Sequence, residues 1–158
     1  MTVVSNTTPL NYLILIGRVE ILSALYSQVV VPQAVFLELT SVKAPEVVRD
    51  WVTNAPSWLY VEQTGDIADT ELRDIQIGER QTILLAQQIL SDFVILDDLK
   101  ARRIASDRGL NVIGTLGILT AAAEKGLIRM SAALGDLKQT NFRASSRLLD
   151  LLIQQHDV

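Results

Sequence analysis

The chain has 158 residues, and its 49% apolar content and mean hydropathy of +0.28 indicate one compact domain, expected to span residues 1–158. It has no cysteine, so disulfides and thiolate metal sites are not expected. It also has no apolar run of the roughly 18 residues that a membrane span needs, and no basic region that would mark a signal peptide ahead of its first apolar stretch. We therefore expect a cytoplasmic protein without a membrane partner. The net charge of −4 and pI of about 4.9 argue against a DNA-coating protein but not against a nuclease, because metal ions can bring positive charge to a phosphate.

Short β-rich runs alternate with helical patterns through the first half of the chain. In chain order, the patterns predict a strand at 2–5, a helix that Thr8 caps and that carries Pro9 at its first position and stops at Gly17, a helix at 19–26, a strand at 28–31, a helix after Pro32 and a strand at 58–62. The weakest order is expected at 41–57 and 64–78.

The second half continues the same alternation. It predicts a helix at 79–90, a strand at 93–96, a helix at 99–108, a strand at 111–113, a helix at 115–125 and a last helix at about 145–155. The expected apolar contacts of the first and last of these helices are Ile83, Leu84, Ala86, Ile89, Leu148, Leu149, Leu152 and Ile153.

Strands that are apolar on both faces, with helices between them, predict an α/β fold with a parallel sheet covered on both sides. Sites in such folds lie beyond the carboxyl ends of the strands. This rule points to the sequence SNTT, which follows the first strand, and to Asp97 and Asp98, which follow the most apolar one.

Several classes of active site are excluded by the residues that the chain lacks. The single histidine, His156, lies three residues from the end, where catalytic residues seldom occur, so a Ser–His–Asp site is not expected. The glycine patterns of a P-loop and of a dinucleotide-binding fold are also missing. Carboxylates are the remaining candidates.

Asp97 and Asp98 are the first candidates, and each also has a purely structural interpretation. Asp98 could cap the helix at 99–108 while Asp97 is solvated. Two adjacent carboxylates at the end of a buried strand nevertheless repel one another, and a divalent cation would remove that cost.

The other candidates are equally ambiguous when each is taken alone. Glu79 lies at a helix N-terminus, where a charge–dipole interaction of roughly 0.3–1 kcal/mol is enough to explain it. Glu38 could be a surface residue at the edge of an apolar stripe, and Arg102 and Arg103 could form one surface ion pair and one exposed side chain. Together the acids form a set of hard oxygen ligands of the kind that Mg²⁺ or Mn²⁺ prefers, and phosphodiester hydrolysis requires such a set.

Five segments occur in an order that resembles the PIN-domain superfamily, and in particular its prokaryotic branch of proteins related to VapC-type toxins. They are VVSNTTPLNYLILIGRVEIL, VVVPQAVFLEL, IGERQTILLA, VILDDLKARRIA and VIGTLGILTAAAEKGLI, and the resemblance as a whole extends from residue 3 to about 155. The resemblance implies a three-layer α/β/α sandwich with a central, mostly parallel sheet. It also implies cleavage of RNA that depends on Mg²⁺ or Mn²⁺.

The resemblance also implies roles for particular residues. The catalytic acids would be Glu38, Glu79, Asp97 and Asp98, and the metal ligands would be Asn6, Glu79, Asp97 and Asp98, with Asp98 favoured over Asp97 as the direct ligand. The substrate-binding residues would be Thr7, Thr8, Arg102 and Arg103. Asn6 departs from the superfamily pattern, which has an acid there, so weaker metal binding is expected.

The sequence is therefore consistent with three functions. The first is a metal-dependent endoribonuclease, the toxin of a toxin–antitoxin pair, with a small antitoxin protein as partner and a homodimer as the expected assembly. The second is a catalytically weakened PIN-like module that binds RNA or a protein. The third is a Mg²⁺-dependent phosphatase.

Overall fold

The computed structural model describes residues 1–65 and 68–156. In these residues five parallel strands form one sheet in the order β3-β2-β1-β4-β5. The strands are β1 (Thr2–Ser5), β2 (Gln28–Pro32), β3 (Leu59–Glu62), β4 (Phe93–Ile95) and β5 (Val112–Ile113). The predicted strands are all present, within two residues of their expected ends.

Helices connect the strands and cover the sheet. They are α1 (Thr7–Leu15), α2 (Ile21–Leu25), α3 (Gln33–Leu39), α4 (Glu46–Thr53), α5 (Ile77–Ile89), α6 (Leu99–Asp107), α7 (Thr115–Glu124), α8 (Met130–Lys138) and α9 (Ser146–His156), with a 3₁₀ turn at Thr70–Leu72. Within the described residues, no helix is long and apolar enough to cross a membrane.

The sheet separates two apolar cores because successive side chains of a strand point to opposite faces. In β1, Val3 packs into one core and Val4 into the other, and both are fully buried. The larger core includes residues of α1–α4 and α7–α9, whereas the smaller one includes residues of α5 and α6. The result is a three-layer α/β/α sandwich, as predicted.

The first helix begins two residues earlier than predicted. Its N-cap residue is Asn6 rather than Thr8, and the Asn6 side chain makes no capping hydrogen bond. Pro9 is therefore the third helical residue, where its missing N–H still costs nothing because the first four N–H groups of a helix have no partner in the helix. The Asn6 side chain therefore does not serve to cap α1.

The expectation of weak order at 41–57 is wrong for most of that segment. It contains α4, whose Val48 and Val52 are buried against the larger core. The other segment, 64–78, contains the 3₁₀ turn and the start of α5, while residues 66 and 67 lie outside the described part of the chain.

Helix α8 was not predicted, and two of the predicted apolar contacts are wrong. Ile89 is 38% exposed and Leu148 is 42% exposed, so neither is a core residue. Leu85, which was not predicted, is buried in α5 with 1% of its surface exposed, and the predicted contact Leu149 is confirmed in α9 with 4% exposed.

Candidate active site

The candidate site lies where the strand order reverses. Strand β1 has β2 on one side and β4 on the other, so the connections leave β1 and β4 in opposite directions and open a crevice beyond their carboxyl ends. Asn6 follows β1, and Asp97 and Asp98 follow β4. The backbone N–H of Asn6 donates to the carbonyl oxygen of Ile95 at 3.0 Å, which fixes the two strand ends side by side.

Asn6 and Glu38 converge on Gly78, near the start of α5. A Cβ atom at position 78 would lie 2.5 Å from Glu38 Oε1 and 3.3 Å from Asn6 Oδ1. The Glu38 carboxylate is held by Thr7, whose hydroxyl donates to Oε2 at 2.9 Å. Glycine at position 78 therefore makes the space in which an amide oxygen and a carboxylate approach the N-terminus of α5.

Glu79 follows Gly78 and experiences the charges of two other acids. Burial raises the pKa of Glu79 above its ordinary value, and the negative charges of Asp98 and Glu38 raise this pKa further. The hydrogen bond that the Gln76 backbone N–H donates to Glu79 Oε1, at 3.2 Å, opposes this rise. The structure thus brings Glu38 and Asp98 close enough to Glu79 for their negative charges to disfavour its ionisation.

Asp98 and Asp97 have different surroundings. Asp98 is exposed and caps α6, since its Oδ2 accepts from the Ala101 backbone N–H at 3.0 Å. Asp97 is half-buried, and its two oxygens accept from the backbone N–H of Thr115 at 2.8 Å and from the Thr115 hydroxyl at 2.5 Å. The helix-cap interpretation of Asp98 is confirmed, whereas the interpretation of Asp97 as a solvated residue is wrong.

The two candidate arginines point to different places. Arg102 is half-buried and donates from Nη1 to the carbonyl oxygen of Leu96 at 3.1 Å, whereas Arg103 is exposed. The expected surface ion pair is not formed by either arginine within residues 1–65 and 68–156. A Cβ at position 114 would lie 2.4 Å from Arg102 Nη1 and 2.8 Å from Asp97 Oδ1, so Gly114 allows both side chains to lie beside the start of α7.

Most of the candidate residues open onto one groove of about 1260 Å³. Its lining includes Thr8, Glu79, Asp97, Asp98 and Arg102. Thr7 and Glu38 instead line a smaller cavity of about 340 Å³, and Asn6 is 5% exposed. Arg103 lines neither cavity.

The available donors fit a hard divalent cation in their chemistry, because they are carboxylate and amide oxygens. No ion pair within the described residues involves Glu38, Glu79, Asp97 or Asp98. In the same part of the chain, however, no group of three or more histidine, aspartate or glutamate side chains is close enough to hold an ion. Mg²⁺ commonly keeps several waters and binds through one or two carboxylates plus substrate phosphates, so the set fits a hydrated ion rather than a full protein cage.

Several residues at the site were not singled out from the sequence. Gly78 and Thr115 lie within motifs that were recognised, but nothing in the sequence indicates that one makes room for Glu38 and the other holds Asp97. Tyr12 also lines the groove and lies within a recognised segment that gives it no role, whereas the loop residues Asn141, Phe142 and Arg143 line the groove and lie outside every quoted segment.

Comparisons with known proteins agree with this fold. The family described as "DUF3368: PIN domain" matches residues 2–157 of the chain. Among solved structures, the chain is similar to a PilT N-terminus domain protein from the hyperthermophilic archaeon Sulfolobus solfataricus P2. The TM-score is 0.56 and the sequence identity 15%, over 77% of this chain and 93% of that one. No curated protein sequence matches the chain. The structural likeness supports the fold alone, and together with the family match it confirms the predicted resemblance.

Proposed function

This chain belongs to the PIN-domain superfamily, whose members are nuclease-type modules that generally depend on divalent metals, and we propose that it is an endoribonuclease that uses Mg²⁺ or Mn²⁺. Its reaction would be hydrolysis of RNA phosphodiester bonds at the carboxyl edge of the sheet. The groove that contains Glu79, Asp98 and Arg102 would receive the scissile phosphate.

The observation that carries this proposal is the repulsion of the Glu79 carboxylate by two neighbouring acids. Glu79 is half-buried, and Asp98 and Glu38 both raise its pKa, although no cationic side chain forms an ion pair with any of the three in the described residues. A structural role does not require acids to be gathered in this way. A cation between them would offset the repulsion, and this is the arrangement that metal-assisted phosphate chemistry needs.

We assign roles according to where each side chain lies. Glu79 and Asp98 would hold the ion, since both open onto the groove, and the amide oxygen of Asn6 would add an uncharged donor beside Glu38. When bound, the ion would supply a Lewis acid that lowers the pKa of water and neutralises charge on the phosphate. Arg102 would orient the phosphate through the guanidinium nitrogens that do not bind Leu96.

Asp97 would have a supporting role. Both of its oxygens already accept hydrogen bonds from Thr115, so a metal would have to compete with the start of α7 for this side chain. We therefore propose that Asp97 positions the loop between β5 and α7 and that Asp98 is the direct ligand.

The test is cleavage of single-stranded RNA in the presence of Mn²⁺. We expect Asp98→Asn to lower the rate about 100-fold or more, since even the neighbours that support metal ligands contribute about 10–100-fold. The matched control is Asp107→Asn at the exposed C-terminal end of α6, which should retain the wild-type rate. Equal cleavage by wild type and Asp98→Asn would refute the mechanism.

Asn6 favours a second candidate function, a PIN-like module that binds RNA or protein without cutting. An amide there brings no charge to the metal, so the site could bind a strand and leave it intact. Asn6→Asp separates the two functions: an inactive wild type with cleavage gained in the variant would support the binding module. Turnover of a small phosphomonoester would instead favour a phosphatase.

We also propose a cytoplasmic toxin–antitoxin role, with a homodimer and a small antitoxin whose basic or apolar segment covers the acidic site. The acidic pI of about 4.9 supports a basic partner. Growth arrest on expression, relieved by the product of an adjacent small gene that co-purifies with the chain, would support this role. A monomer whose expression does not affect growth would contradict it.

A further inference from the structure

One part of the groove wall is formed by the loop before α9. Asn141, Phe142, Arg143 and Ala144 line the groove there, and Tyr12 of α1 lines it beside them. The rings of Tyr12 and Phe142 meet edge to face, with centroids 5.0 Å apart and planes at 83°. An aromatic pair therefore stands in the same groove as Glu79 and Asp98.

This wall is held in place by contacts with the rest of the fold. The Tyr12 hydroxyl donates to Asn141 Oδ1 at 2.7 Å, and the Phe142 backbone N–H donates to Thr140 Oγ1 at 3.2 Å. Phe142 is half-buried and packs against the larger core. Its ring is thus preorganised, which lowers the entropic cost of binding a flat ligand.

Basic side chains line the groove together with its four acids, Asp74, Glu79, Asp97 and Asp98. Lys100 and Arg143 are exposed and line the groove with Arg102, although the protein as a whole carries a net charge of −4. The pKa of Tyr12 is raised by burial and, to a smaller extent, by the charge of Asp97. The charge of Arg143 lowers the same pKa, so Arg143 also lies near the aromatic pair. A groove that combines aromatic and basic side chains is typical of single-stranded nucleic-acid binding.

We propose that Phe142 and Arg143 form a nucleobase subsite, in which Phe142 stacks an unpaired base and Arg143 holds an adjoining phosphate. The proposal rests on the proposed function, because the strand is the substrate whose phosphate would lie at Glu79 and Asp98. Since the subsite and the acids share one groove, a strand that occupies both would be fixed in register for cleavage. The base at Phe142 would then influence where the strand is cut.

The experiment measures binding of a fluorescein-labelled single-stranded RNA by anisotropy in EDTA, where no cleavage occurs. The variant Phe142→Leu keeps the apolar packing and removes the ring, while Phe142→Tyr keeps the ring. We expect Phe142→Leu to raise Kd about 5- to 100-fold, the range for loss of one stacked base, and Phe142→Tyr to leave it unchanged. Tyr60→Ala, on the exposed edge strand β3, is the aromatic control, and thermal unfolding checks that each variant is folded.

A ribose–phosphate strand of the same length without bases separates stacking from charge. On this strand the effect of Phe142→Leu should disappear. The effect of Arg143→Ala should persist, and its slope of log K against log salt should be shallower by about 0.7. Lys138→Ala, an exposed cation of α8 outside the groove lining, should change neither quantity.

The outcomes distinguish this inference from the proposed function. If wild type cleaves RNA and all Phe142 variants have the same Kd, the nucleobase subsite is overturned but the nuclease is not. This part of the groove would then bind something else, such as a peptide. A wild type that does not cleave but shows the Phe142 effect supports the subsite and refutes the nuclease. A wild type that neither binds nor cleaves overturns both.

Discussion

Gly78→Ala is expected to damage the candidate active site while leaving the fold nearly as stable as before. The new Cβ would lie 2.5 Å from Glu38 Oε1, whereas ordinary contacts begin at 3.4 Å, so the carboxylate must move by about 1 Å. This movement would break the 2.9 Å hydrogen bond from Thr7. The backbone of α5 itself meets no such obstacle, because the close atom is the end of a flexible side chain.

The expected change in stability is small because two effects oppose each other. Loss of a hydrogen bond to a charged acceptor costs about 1.5–3 kcal/mol, and the lower end applies here because Thr7 and Glu38 are only half-buried. Replacing a helical glycine by alanine recovers up to about 1 kcal/mol. The net loss in the free energy of unfolding should therefore be about 1 kcal/mol or less. Activity should fall much further, since a misplacement of about 1 Å can cost about 100-fold.

The assay compares Mn²⁺-dependent RNA cleavage with thermal unfolding of the same preparations. The matched control is Gly135→Ala in α8, where a Cβ would meet nothing within 4 Å. It should raise the free energy of unfolding by about 0.5–1 kcal/mol and leave cleavage unchanged. Full activity of Gly78→Ala, at wild-type stability, would show that the position of Glu38 does not matter for the reaction.

Two further substitutions test the electrostatics and the packing of the site. Because the pKa of Glu79 is raised in the folded state, its ionisation destabilises the fold as the pH rises from 4.5 through that raised pKa. In EDTA at neutral pH, the Glu79→Gln variant should therefore melt at a higher temperature than wild type, and this difference should vanish below pH 4.5. Added Mn²⁺ should stabilise wild type more than the variant. Asp97→Ala should lower the free energy of unfolding, measured by urea denaturation, by about 1–2 kcal/mol, because it removes the side chain that accepts two hydrogen bonds from Thr115 at the start of α7. A loss of activity with no loss of stability would contradict the positioning role of Asp97.

The strands were predictable because burial on both faces of a parallel sheet demands uninterrupted apolar runs. Val29, Val30 and Val31 are examples, since they fill both cores and are almost fully buried. The spacing that would have predicted α8 is also present, because its buried residues recur at the helical period. They are Met130, Ala133, Leu134 and Leu137.

The exposure of Leu148 depends on how α9 packs against the rest of the fold, and the sequence of α9 alone does not determine that packing.

The candidate site was predictable where chemistry fixes the residue type, and unpredictable where only space or a distant contact matters. Carboxylates at strand ends and helix starts identified Glu79 and Asp98 before any geometry was known. The partnership of Asp97 with Thr115 joins residues 18 positions apart and depends on the β4–β5 register. Phe142 could not be identified from the sequence, because it comes to the groove only through the packing of its loop on Tyr12.

Asn6 is best understood through its burial. It is 5% exposed, its amide oxygen lies beside Glu38 at Gly78, and Asp98 and Glu38 already disfavour the ionisation of Glu79. A carboxylate at position 6 would be a nearly buried charge next to another acid, which is costly unless a cation is always present. An amide offers the metal an oxygen without that cost in the metal-free protein. In the proposed nuclease, asparagine at position 6 would therefore favour a fold that is stable without the ion, and the ion would be held more weakly than by an aspartate.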